Sequence, residues 1–152
     1  MIVKSFEINK IHLEKTNYYL LYGENEGLKN EILQKKILNI PSSNNYRYEE
    51  KEILDNKDTF FNSIYSKSFF EDKKTIIIKR VSDKIKDIIE EILEKNFDNL
   101  KIILIAGLLE KKSKIRSLFE KNKNTICIPF YTDNAQTLMV IVNNFFREKK
   151  IP

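Results

Sequence analysis

The sequence predicts an α/β protein, a three-layer αβα sandwich built on a mostly parallel sheet of four or five strands. Short unbroken apolar runs, rich in β-branched residues, have the character of strands buried on both faces. Segments with apolar residues at helical spacing stand between them. The alternation repeats about every 25 residues, which is the pattern of right-handed βαβ crossovers. Two of the apolar runs close on a glycine, Gly23 and Gly107, the mark of an abrupt exit from a strand.

In order along the chain, residues 1–16 hold Ile8, Ile11 and Leu13, which suggest a short amphipathic lead-in. Tyr18-Tyr19-Leu20-Leu21-Tyr22 reads as the first buried strand, ended by Gly23. The turn Glu24-Asn25-Glu26-Gly27 opens a helix that carries Leu28, Ile32, Leu33 and Ile37 at helical spacing. Pro41-Ser42-Ser43-Asn44-Asn45 closes that helix and starts a loop, and Tyr46-Arg47-Tyr48 has the composition of a short strand. Phe60, Phe61, Ile64 and Tyr65 form a second helical pattern, followed by a strand at Thr75 to Lys79. Ile85, Ile88, Ile89, Ile92 and Leu93 then fall on one helical face with Lys and Glu opposite. Lys101 to Gly107 is another buried strand, Ile115, Leu118 and Phe119 mark a short helix, and Thr125 to Pro129 is the final strand. Leu138, Met139, Val142, Phe145 and Phe146 give the last helix. With no internal repeat and no linker, residues 1–152 read as a single domain.

The totals agree with this. A chain of 152 residues is long enough for one sizeable core, and 41% apolar with 32% charged residues describes a globular protein. No run approaches the roughly 18 apolar residues of a membrane span. Met1 to Glu7 lacks a signal-peptide core, so the expected location is the reducing cytoplasm, away from membranes. The single cysteine, Cys127, excludes an internal disulfide and, between Ile126 and Ile128, reads as an inert buried thiol. His12 is the only histidine, so no multi-histidine metal site and no catalytic triad can be assembled. The net charge of +5 is carried by 23 lysines against 4 arginines, a drift spread over the whole chain and a poor match to phosphate or guanine readers.

A strand, a glycine turn and a helix are the setting of a phosphate-binding loop. That loop needs backbone amides free to cradle phosphate and a closing Gly-Lys-Ser/Thr. Here the stretch is Gly23-Glu24-Asn25-Glu26-Gly27-Leu28-Lys29-Asn30, with two glutamates in the loop and no Ser or Thr after Lys29. The acidic pair that would hold magnesium is missing as well: one neighbouring strand ends in Lys79-Arg80 and the other in Ala106-Gly107. The scaffold is that of a nucleotide-binding protein with an empty site, and no cofactor, metal or catalytic residue is expected.

Two other stretches stand out. Phe69 and Phe70 lie side by side between Ser66-Lys67-Ser68 and Glu71-Asp72-Lys73-Lys74. They either close the core where a helix meets a strand or form a protein-binding tip, since aromatic rings in a polar surround are what interface hot spots are made of. Lys111, Lys112, Lys114 and Arg116, with Lys121 and Lys123 further on, form a local basic cluster, either a solvated helix face or a contact for a phosphate backbone or acidic partner.

Three blocks together, Tyr19 to Glu26, Ser68 to Arg80 and Ile103 to Arg116, resemble the N-terminal domain of the delta subunit of the bacterial DNA polymerase III clamp loader. The resemblance covers nearly the whole chain. It implies an AAA+-like domain without a working nucleotide site, non-catalytic in itself, that binds the ring-shaped sliding clamp (the beta subunit) and helps to open it. The implied contact is a hydrophobic pair before the third strand, usually Leu-Phe after a serine. Here Ser68 precedes Phe69 and Phe70, and Phe69 takes the leucine position with a larger ring. The resemblance also implies a lid and a collar domain that join the other loader subunits, so the chain is expected to be a fragment of a longer protein, with DNA contact arising in the assembled loader. Two other classes stay open on the residues alone: an ATP-binding AAA+ or RecA-like enzyme with a degenerate phosphate loop, and a DNA-binding domain.

Overall fold

The computed structural model describes residues 1–10, 16–38, 44–67, 74–97, 99–131 and Arg147. Five strands, β1 (Tyr18–Tyr22), β2 (Asn44–Glu49), β3 (Lys74–Lys79), β4 (Leu100–Ile105) and β5 (Thr125–Pro129), form one sheet in the order β2-β3-β4-β1-β5. Every pairing is parallel. The helices are α1 (Glu26–Ile32, continued by a wider turn at Leu33–Ile37), α2 (Glu50–Asp55), α3 (Lys57–Lys67), α4 (Lys86–Lys95) and α5 (Lys114–Lys121).

Side chains alternate across the sheet, so each unbroken apolar run serves two cores at once. Tyr18, Leu20 and Tyr22 of β1, Ile76 and Ile78 of β3, and Ile102 and Leu104 of β4 point to one side, where they meet residues of α2 to α5 such as Ile53, Phe60, Ile89 and Phe119. Tyr19, Leu21, Ile77, Ile103, Ile126 and Ile128 point to the other, against Ile32, Leu33 and Ile37 of the first helix and Val3 and Ile8 near the amino terminus. The expected three-layer sandwich is therefore present, with five strands. Each apolar side chain taken fully out of water contributes about 1.5–3 kcal/mol, so the two cores account for most of the cohesion.

Local differences from the expectations have physical causes. The strand expected at Tyr46-Arg47-Tyr48 begins earlier, at Asn44, because β3 offers its edge and the ladder pairs Asn44 with Lys74 through to Glu49 with Lys79. The helix α2 has only Ile53 and Leu54 as apolar residues, too few for a periodic signal. It is fixed instead by a capping box, in which Glu49 accepts from the amide at Glu52 and the Glu52 carboxylate accepts from the Glu49 amide. The lead-in folds as a 3₁₀ turn at Ser5–Lys10 that buries Ile8, and Ile2 bridges Cys127 to cover the outer edge of β5. Ile11, Leu13 and the helix expected at Leu138 to Phe146 lie outside the described residues. No helix among the described residues is long and apolar enough to cross a membrane.

Candidate functional site

In open parallel sheets ligands bind beyond the carboxyl ends of the strands, and here that edge is filled by the protein's own groups. Gly23 leaves β1 with φ of +124°, a conformation that a side chain rarely adopts. The turn is pressed so tightly on the end of β5 that a Cβ at Gly23 would lie 2.0 Å from the Phe130 carbonyl oxygen. The Gly23 amide donates to Gly107 O at 2.9 Å, and the Asn25 amide donates to Phe130 O at 3.2 Å. Asn25 also caps α1, its side-chain oxygen accepting from the Leu28 amide at 3.1 Å.

Lys29 lies in α1, just past this turn, and does not face solvent. Its side chain is 2% exposed, and its ammonium donates to the Ala106 carbonyl at 2.8 Å and to a Glu26 carboxylate oxygen at 2.5 Å. The two glutamates of the loop thus have different parts. Glu24 is exposed, whereas Glu26 supplies the negative charge beside the lysine that a phosphate would supply in a nucleotide site. The nearest acids downstream of β2 and β3 are also committed. Buried Glu50 accepts from both the amide and the hydroxyl of Ser82 at 2.8 Å, joining α2 to the segment after β3. Asp83 accepts from the Ser113 hydroxyl at 2.7 Å and the Ile115 amide at 3.0 Å, joining the start of α4 to the start of α5. Partial burial opposes the charge on Asp83, but the hydrogen bonds from Ser113, Ile115 and Lys114 outweigh it and hold the carboxyl below its ordinary value. Among the described residues no group of His, Cys, Asp and Glu is arranged to hold a metal ion. Cys127 is fully buried, and burial pushes its thiol up to about 12.

The opposite, amino-terminal edge of the sheet carries the join between α3 and β3. Ser68, Phe69 and Phe70 lie outside the described residues, but the elements that precede and follow them are described. On the approach, Phe60 and Ile64 anchor α3 in the core. A ladder of rings runs from Tyr48 to Phe60 at 5.5 Å, on through Phe61, and from Tyr65 to Phe97 at 5.6 Å. On the exit, Lys74 is 2% exposed and its ammonium donates to the carbonyl and hydroxyl of Ser63 at 3.4 and 3.3 Å. The same ammonium lies 4.5 Å from the centre of the Tyr46 ring. Lys74 therefore ties α3 to the first residue of β3.

The basic cluster is divided. Lys111, Lys112 and Lys114 are exposed, and Lys112 lies 3.3 Å from the exposed Glu110. Arg116 turns inward: its guanidinium donates to Glu120 at 2.7 Å and to the Leu109 carbonyl at 2.9 Å, and lies 5.0 Å from the centre of the Tyr22 ring. It holds α5 to the end of β1 and is not grouped with the three lysines. Lys86 and Lys121 do stand beside Lys112 and Lys114, on the two helices that flank one trough. Sequence reasoning placed Lys121 with the cluster but not Lys86, because the α4–α5 contact that brings Lys86 to it is made only in the fold.

A five-stranded parallel sheet covered on both sides, with a glycine turn and helix after its first strand, defines a three-layer α/β protein. Within that class, residues 19–132 match the family described as DNA polymerase III, delta subunit. The chain belongs to the DNA polymerase III delta subunit family, whose members are components of the clamp loader and of the replicative holoenzyme. A search among curated proteins finds no match.

Proposed function

We propose that the chain is a non-catalytic clamp-binding module, which grips the sliding clamp with Phe69 and Phe70 while Ser68 and its polar neighbours orient the tip. What supports this reading is the sequence, an aromatic pair framed by charge, together with the contacts of the segments on either side of it, Ser63–Lys74 and the ring ladder along α3. Contacts of that kind lower the ordering cost of presenting two rings to a partner. Two phenylalanines entering an apolar pocket contribute roughly 1.5–3 kcal/mol each before association costs. Ring opening then follows from tighter binding to the distorted clamp than to the closed one. The commitment of Lys29 to Glu26 and Ala106 supports a part in the loader that does not depend on nucleotide held by this domain. Contacts with the other loader subunits would be made through domains beyond these residues.

A clamp labelled with a donor and an acceptor on the two sides of its subunit interface tests the opening step. Saturating chain should lower the energy transfer, and the F69A/F70A variant should leave it unchanged. Equal opening by both proteins would refute the assignment of the tip.

A further inference from the structure

The open trough between α4 and α5 has a volume of about 460 Å³, and no residue of the Gly23 turn lines it. Its rim carries Lys86, Lys112, Lys114 and Lys121, while Leu118, half-buried against the core, lies in its lining. One carboxylate, Glu90, also lines it and pairs with Lys86 at 2.6 Å. Lys114 and Lys121 are both exposed on α5, Lys114 with the Asp83 carboxylate as an attracting neighbour. Seven positions apart on α5, they stand roughly 10 Å apart at 1.5 Å per residue. An extended peptide covers that distance in about three residues.

We propose that this trough is a docking site for a short acidic segment of a partner protein, with an apolar side chain on Leu118 between carboxylates that reach Lys114 and Lys121. Charge complementarity selects the acidic residues, and the half-buried leucine between the lysines selects the apolar one. The same features disfavour nucleic acid. A duplex presents a convex surface of phosphates, the lining holds no aromatic ring on which a base could stack, and Glu90 would repel a phosphate. Arg116, the nearest arginine to the cluster, is held inward by Glu120. The site does not depend on the clamp-binding tip, so the two readings can fail separately.

The test is an NMR titration of the ¹⁵N-labelled chain with the peptide acetyl-Asp-Asp-Leu-Asp-Asp-amide in low salt. Saturable shifts confined to the amides of α4 and α5 around Leu118 are expected. Affinity should fall at least about tenfold in K114E/K121E, whose exposed substitutions leave the rest of the spectrum in place. It should fall at least about threefold when the peptide's leucine is replaced by serine. Shifts that never saturate, equal affinity in K114E/K121E, or indifference to the leucine would overturn the proposal. Tighter binding of a 12-base-pair duplex at the same amides would also overturn it and assign the trough to nucleic acid.

Discussion

Replacing Gly23 with alanine tests whether the first turn is a structural lock. The new Cβ would meet the Phe130 carbonyl oxygen at 2.0 Å, and since real contacts essentially never fall under 3.0 Å, the two backbones must part by about 1 Å. Holding a non-glycine residue at φ of +124° adds about 1–3 kcal/mol of strain. The separation also loosens the hydrogen bonds from Gly23 to Gly107, from Asn25 to Phe130 and from Phe130 to Tyr22, each contributing about 0.5–1.5 kcal/mol. The expected loss is about 3–6 kcal/mol, a large part of the roughly 5–15 kcal/mol that holds a domain together. At about 2–4 °C per kcal/mol for a chain of this size, Tm should fall by at least about 6 °C. Urea unfolding followed by circular dichroism measures the change directly. Gly107→Ala is the control, because nothing lies within 4 Å of its added Cβ, and it should change stability by no more than about 0.5 kcal/mol. A Gly23→Ala loss below about 1 kcal/mol would refute the reasoning.

Three further outcomes follow from the same geometry. Lys29→Met leaves the Ala106 carbonyl without its charged donor, and should cost about 1–2 kcal/mol in urea unfolding; Glu26→Gln should cost less than about 1 kcal/mol, because that carboxylate is largely exposed. Because the folded Asp83 carboxyl is held below its unfolded value, its contribution is complete above the unfolded range and is lost as pH falls through the lower, folded value. Stability measured from pH 6 down to about pH 2 should therefore fall more steeply in the wild type than in Asp83→Asn, and parallel curves would contradict the capping role. Cys127, fully buried with its thiol pushed up to about 12, should resist alkylation at about pH 8 in the folded chain and react fully in denaturant.

The sequence was most legible where one signal dominates. Thr75 to Ile78 and Ile102 to Ile105 are continuous runs of a kind that only a strand covered on both faces accommodates, and the isoleucines of α4 repeat at helical spacing. Legibility failed where partners come from far along the chain. Glu50 begins a helix without an apolar stripe and is held by Ser82, and Asn44 joins β2 only because β3 offers its edge. Lys29 stood out in the sequence only for the missing Ser or Thr after it, and its partner at Ala106 could be found only after β1 and β4 had paired. Arg116 belonged by sequence to a basic cluster, yet Glu120, four residues on, draws it inward. Phe69-Phe70 stood out by their polar frame alone, while the Lys74–Ser63 contacts between the flanking elements depend on the parallel fold.

Calorimetric titration of the chain against its own sliding clamp, with F69A/F70A as the comparison, tests the central claim most directly. Micromolar or tighter binding is expected for the intact chain. Removing two rings that each contribute roughly 1.5–3 kcal/mol should weaken it at least about a hundredfold, in a variant whose Tm is unchanged. Equal binding by the folded variant, or a variant that unfolds because the pair belongs to the core, would contradict it.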